Sequence, residues 1–189
     1  MSLRAYTVWI TGLPGSGKSV ISEKLKEILE KHGVRVEILR MDEMRRIVTP
    51  EPKYTDEERQ IVYNAISYLA MVLTKNNINV VIDATGNLRK YRDLARKIIP
   101  NFMEVYLKCP LPIAMKRESE RKNTLAAPKN IYEKAKKGES KTVPGVQSSY
   151  EEPLNPELII DSDRTSIEEA ANVIFRKIKE LLLEPEGGI

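Results

Sequence analysis

The sequence predicts an α/β fold, a three-layer sandwich with a five-stranded parallel sheet and one basic lid. Three observations carry that expectation. Short apolar runs alternate with amphipathic helical stretches, and the runs are apolar nearly throughout, as in strands covered on both faces. A glycine-rich loop separates the first run from the first helix. Between residues 122 and 156 the alternation gives way to a stretch rich in Lys, Pro, Gly and Ser. Parallel strands need right-handed helical crossovers, which lay helices over both faces of the sheet.

Residues 6–10 read as the first buried strand. Over residues 20–30, Ile21, Leu25, Ile28 and Leu29 fall on one helical face, and Gly33 is a natural stop. Residues 34–39 form the second strand. Residues 55–75 form a long helix, with Thr55 as its cap and Glu58 completing a capping box. The third strand spans 78–82, and the next helix spans 87–99, stopped by Pro100. The fourth strand covers 103–107 and leads into a helix from about 112 to 121. A short helix at 131–137 lies inside the irregular stretch. A short fifth strand at 158–160 and a helix at 166–183 complete the pattern. The 189 residues suit a single domain, 1–189, with residues 122–156 as a lid or active-site loop.

Apolar residues make up 41% of the chain and charged residues 31%, enough for a core and too polar for a membrane protein. No run reaches the roughly 18 apolar residues that a membrane span needs. Residues 1–4 lead straight into a strand, so no signal peptide is expected. The single cysteine, Cys109, excludes an internal disulfide and a cysteine-rich zinc site. Together these point to a cytoplasmic protein. The net charge of +4 suits an anionic ligand such as a phosphate. It falls short of the concentrated basic face of most nucleic-acid binders, so nucleic acid is a minor candidate partner.

Gly12-Leu13-Pro14-Gly15-Ser16-Gly17-Lys18-Ser19 is a complete G-x-x-x-x-G-K-[ST] phosphate-binding loop between a strand and a helix. Its glycines let the backbone wrap a phosphate chain, and its amides form an anion nest at a helix N-terminus. The motif predicts a P-loop NTPase, with ATP and Mg²⁺ as cofactors. Lys18 is expected on the β- and γ-phosphates and the Ser19 hydroxyl on Mg²⁺. Two classes then compete. Asp83-Ala84-Thr85-Gly86 matches the D-x-x-G of switch NTPases, but the guanine-reading N-K-x-D is absent. A lysine-rich lid excludes water so that a hydroxyl acceptor attacks, which favours a nucleotide-kinase-like enzyme acting on a small molecule.

Two carboxylates fall at the carboxyl edge of the sheet, where such folds bind ligands. Asp42 lies just past strand two and can accept an acceptor proton or hold Mg²⁺. Asp83 ends strand three and can do the same. A helix cap or a turn is the bland alternative for each.

A longer pattern follows. Ile131-Tyr132-Glu133-Lys134-Ala135-Lys136-Lys137-Gly138-Glu139, then Lys141, Gly145, Ser149-Tyr150-Glu151-Glu152-Pro153 and Asn155-Pro156-Glu157-Leu158, resembles the lid and following loop of the adenylylsulfate kinases. The phosphate loop, Asp42 with Arg45, residues 56–59 and residues 89–96 align in the same order, so the resemblance covers nearly the whole chain. It implies transfer of the γ-phosphate of MgATP to the ribose 3′-hydroxyl of adenylylsulfate. By resemblance, Asp42 activates the acceptor hydroxyl, and Arg45 and Arg59 hold the substrate's anionic groups. Tyr54 stands where the family often has a phenylalanine stacked on the substrate adenine, and Lys141 matches a lid lysine near the phosphates. Arg89 and Asn64 join the acceptor side, and a homodimer is compatible with the pattern.

Departures cluster on the acceptor side. Arg40 replaces the first aspartate of the family's Asp-Gly-Asp-x-x-Arg, and Val62 replaces an asparagine, with Asn64 nearby. The family's S-F-x-S-P reads Asp83-Ala84-Thr85-Gly86-Asn87 here, and F-T-G-x-D reads Val143-Pro144-Gly145-Val146-Gln147. About ten residues around 118–127 are additional. The strand-three end also resembles that of polynucleotide kinases, which leaves a nucleoside, a 5′-hydroxyl polynucleotide or RNA as the alternative acceptor.

Arg117 or Arg121 is expected to stack on the ATP adenine, with surface ion pairing as the alternative. Lys134, Lys136 and Lys137 are either phosphate contacts or a solvated helix face. His32 and Trp9 read as a helix-end residue and a core residue.

Overall fold

The computed structural model describes residues 5–121, 128, 130–140 and 142–183. Five strands, β1 Thr7–Thr11, β2 Val36–Arg40, β3 Asn79–Asp83, β4 Phe102–Lys108 and β5 Leu158–Asp161, form one parallel sheet in the order β2-β3-β1-β4-β5. The helices are α1 Lys18–Lys31, α2 Met41–Val48, α3 Asp56–Lys75, α4 Arg89–Ile98, α5 Leu111–Glu120, α6 Ile131–Lys136 and α7 Ile167–Ile178.

The near-continuous apolar strands have a simple cause. Val8 and Ile10 pack with Leu25 and Leu29 of α1 and Ile174 of α7, while Trp9 between them packs with Ile66 of α3 and Tyr91 of α4. Both faces of β1 are buried, so neither can be polar. The Trp9 indole N–H donates to Ala84 O at 3.0 Å, tying strand one to the end of strand three.

The strand ends differ from the sequence expectation by one or two residues, and those residues matter. β1 runs to Thr11 and β3 to Asp83, so both carry polar groups to the carboxyl edge. A further helix, α2, was not expected. It begins at Met41, directly after β2, and turns Met41 and Arg45 inward. Asp42 therefore sits in the first turn of a helix. The predicted final helix keeps α geometry only to Ile178, then continues as a π-turn over Lys179–Leu183. The capping box at α3 is half formed. The Thr55 hydroxyl accepts from Glu58 N at 3.2 Å, but the Glu58 carboxylate takes the amides of Lys53 and Tyr54.

The segment after the lid is fastened to the sheet by a buried ion pair. Arg92 Nε donates to Glu104 Oε1 at 2.6 Å, and its other nitrogens reach Gly86 O and Glu151 O. Glu157 closes the network, accepting from Glu104 N at 2.6 Å and from Arg96. Within the lid, Tyr132, Ala135 and Val143 form a small core with Leu111 and Met115 of α5.

Candidate active site

The phosphate loop joins the carboxyl end of β1 to the start of α1. Gly15 adopts φ +84°, and a Cβ there would stand 2.1 Å from Ala114 O, so the backbone of α5 rests directly on the loop. Gly12 is equally confined, its absent Cβ falling 2.6 Å from Leu107 O. Tyr132 of α6 donates its hydroxyl to Pro14 O at 2.9 Å. The loop is thus clasped between the sheet and the α5–α6 pair.

Lys18 bends back so that Nζ donates to Gly12 O and Leu13 O, each at 3.0 Å. Ser16 Oγ is buried inside the loop with no hydrogen-bond partner. Burial lowers the proton affinity of the Lys18 ammonium, while the charges of Asp83 and then Asp42 act to restore it. Burial pushes the Asp83 carboxyl up, opposed by Lys18 and by a hydrogen bond from the Ser19 hydroxyl. Asp42 is also raised, first by burial and then by the charge of Asp83, with Lys18 and Arg45 opposing. Lys18, Ser19, Asp42 and Asp83 therefore form one charge cluster at the carboxyl edge. Two partly desolvated carboxylates facing each other constitute a site that a cation would relieve.

Arg45, Tyr54 and Arg59 converge beside this cluster. The guanidiniums of Arg45 and Arg59 lie 5.0 and 6.0 Å from the Tyr54 ring centroid. Tyr54 takes φ +58°, unusual for a bulky residue, held there by the Glu58 carboxylate on its amide. Arg45 Nη1 is buried with no partner. Arg59 is committed to protein groups instead: its nitrogens donate to Tyr54 O, to Asn87 Oδ1 and, at 2.8 Å, to Thr142 O.

Several expected residues sit elsewhere. Asn64 lies on the exposed face of α3, bonded to Gln60 at 2.7 Å, because the inward face at that turn is taken by Val62 and Tyr63. Arg89 secures the segment after the lid, through its amide to Glu151 Oε2 at 2.7 Å and Nη1 to Glu152 O at 3.3 Å. Arg117 donates to Ser162 O at 3.0 Å, on the β5 side of the loop. Lys134, Lys136 and Lys137 are exposed on α6, and Lys137 pairs with Glu133 at 2.7 Å. Lys141 lies outside the described residues. His32 packs on Phe175 with ring centroids 4.5 Å apart, a structural role. Beside Leu13, toward β4 and β5, a cavity of about 570 Å³ is bordered by Pro110, Gly145, Asp163 and Arg164.

Asn87 and Arg92 were missed by sequence reasoning. Asn87 is buried and donates to Ser148 Oγ and Ser149 O, joining the end of β3 to the lid. An advance signal was the amide of Asn87 just past Asp83, in a place where a buried turn needs partners.

The adenylylsulphate kinase family model matches residues 4–161. A probable adenylyl-sulfate kinase of Pyrococcus abyssi is 36% identical over 95% of this chain and 98% of its own length. One from Archaeoglobus fulgidus is 38% identical over 85% of this chain and 97% of its own. The APS kinase of Mycobacterium tuberculosis, solved in complex with AMPPNP and APS, superposes with a TM-score of 0.82 at 31% identity, covering 93% of this chain and 98% of that one. Among the described residues no helix is long and apolar enough to cross a membrane. On sequence and fold together, the chain belongs to the adenylylsulfate kinase family.

Proposed function

We propose that this chain transfers the γ-phosphate of ATP to the 3′-hydroxyl of adenylylsulfate, yielding 3′-phosphoadenylylsulfate. The observation that carries the reading is the single charge cluster in which Lys18, Asp42 and Asp83 act on one another at the mouth of the phosphate loop. The names and bound ligands of the relatives support the choice of nucleotide and acceptor.

The triphosphate would enter the nest of residues 12–19, where Lys18 exchanges two loop carbonyls for phosphate oxygens and the unpartnered Ser16 hydroxyl gains an acceptor. The donor set fits Mg²⁺: oxygen ligands only, few of them from protein, with the Ser19 hydroxyl already resting on Asp83. Ser19 and Asp83 would hold the ion, with Asp42 across the cluster; when bound, it neutralises charge on the phosphoryl group. Asp42, with its raised proton affinity, orients the acceptor hydroxyl and takes its proton as the new O–P bond forms and the β–γ bridge bond breaks. The free Arg45 Nη1 suits an anionic group of the acceptor, and the Tyr54 face suits its adenine. Arg59 keeps that wall in place by joining α3 to Asn87 and the lid. Both reactants are small molecules, the reaction is placed in the cytoplasm, and a homodimer is compatible with it.

An acceptor panel with γ-labelled ATP tests the reading. Adenylylsulfate should be labelled with the highest kcat/KM among it, nucleosides, 5′-hydroxyl oligonucleotides and sugars. A preference for any other acceptor, or labelling of none, overturns it.

A further inference from the structure

We propose that Arg121 is a second cationic contact for the γ-phosphate, gripping the group as it moves from ATP to the acceptor. The proposal rests on the ATP site described above and adds a residue to it.

Arg121 follows the last residue of α5, Glu120, and its backbone turns extended there. Its guanidinium is fixed at one edge. Nη2 donates to Pro128 O at 2.8 Å and lies 3.6 Å from Glu118 Oε1. Glu118 is itself buried and accepts from the first amide of α6, Ile131 N, at 3.3 Å. The arginine is therefore stapled between α5 and α6, the two helices that clasp the phosphate loop through Ala114 beside Gly15 and Tyr132 on Pro14. Among the described residues, nothing bonds the other edge at Nε. Nε is buried with no hydrogen-bond partner. A buried N–H without an acceptor is destabilising, and an oxyanion is the natural group to satisfy it.

The charge of Arg121 bears on the same cluster. The positive charge of Arg121 acts on Lys18, in the loop, and on Asp42, on the acceptor side. Within the proposed geometry, the terminal phosphoryl group is the part of ATP that lies between those two residues. Arg117, one helical turn earlier, is engaged elsewhere, since its bond to Ser162 O lies on the β5 side. The guanidinium fork can hold two equatorial oxygens at once, which a lysine cannot.

Nucleotide affinity separates this contact from a merely structural one. Dissociation constants for ADP and for the non-hydrolysable ATP analogue AMPPNP, each with Mg²⁺, should be measured for the wild type, Arg121→Ala and Arg121→Lys. Arg121→Ala should weaken AMPPNP about tenfold or more and leave ADP within about twofold; Arg121→Lys should fall between. Should Arg121→Ala fail to bind ADP, Arg121→Lys alone decides, by the same ratio. Equal weakening of both nucleotides, or no change in either, overturns the proposal. Failure of the wild type to bind either nucleotide would instead sink the ATP site itself.

Discussion

Replacing Arg92 by alanine should be among the most damaging single changes to the fold, while sparing the nucleotide loop. Its side chain is 1% exposed and its Glu104 partner 7%, so neither charge is shared with water. Removal leaves the Glu104 carboxylate with Arg96 Nη2 at 3.4 Å and the amide–Glu157 contact next to it, and strips Gly86 O and Glu151 O of their donors. Breaking a buried pair from one side costs about 3–5 kcal/mol, out of a total stability of about 5–15 kcal/mol. For a chain of this size that corresponds to a fall in Tm of about 6–20 °C. Thermal and urea unfolding of the purified variant measure it. Because Arg92 fastens the turn after β3 and the segment after the lid, KM for the acceptor should rise, while ADP affinity stays near the wild-type value. A loss below about 1 kcal/mol would refute the reasoning, since it would mean that the pair is solvated or that Arg96 replaces Arg92 without cost. The double variant Arg92→Met with Glu104→Met should recover much of the loss, because an apolar pair has no stranded charge.

Three further outcomes follow from the charge cluster. Lys18→Met should lower transfer about a hundredfold or more with Tm unchanged or raised, because folding already disfavours that buried ammonium; steady-state kinetics beside a melting curve check both parts. Asp42→Asn should lower kcat about a hundredfold or more and leave ADP affinity within about twofold, and parallel losses would show that Asp42 serves only the metal. Asp83 carries part of the pH dependence, beside Asp42, whose carboxyl is also raised by burial. The Asp83 carboxyl is raised mainly by burial, so the native state binds this proton more tightly than the unfolded chain does. The associated stability is present below the ordinary carboxyl range, about pH 4, and is lost as pH rises through the raised value. Asp83→Asn should therefore flatten the fall of Tm with pH in the ligand-free protein and remove the Mg²⁺-dependent part of ADP affinity; a Tm profile parallel to the wild type would count against it.

The sheet and its crossovers were legible because both faces of each central strand are buried, which leaves an apolar run that no exposed strand would show. The phosphate loop was legible because only glycine tolerates positions such as Gly15, where α5 comes within a Cβ's reach. Helix α2 was not legible: it is short, it starts at the residue after β2 without a spacer, and its buried residues are only Met41 and Arg45. Asn64 is close to Val62 in sequence, but a shift of two residues on a helix turns a side chain to the opposite face, and it points to solvent. Arg59 and Arg89 read as ligand contacts by resemblance to the family. Their partners, Thr142 O and Glu152 O, lie more than sixty residues away in sequence, and no local pattern reveals them.

Two of the departures from the family pattern are neighbours in space. The family pattern has an aspartate where this chain has Arg40 and a serine where it has Asp83, and these two positions are register partners on adjacent strands. The carboxylate has thus moved across one strand spacing, about 4.8 Å, without leaving the carboxyl edge of the sheet. The arginine left behind does not cancel it. Arg40 turns toward Glu23 of α1 and Glu43 of α2, so much of its charge is answered outside the cluster, while what remains favours ionised Asp83. At this position Asp83 also feels Lys18 and the Ser19 hydroxyl, both of which favour its ionised form. An acid absent at the end of one strand and a carboxylate present at its register partner thus share one edge of the sheet.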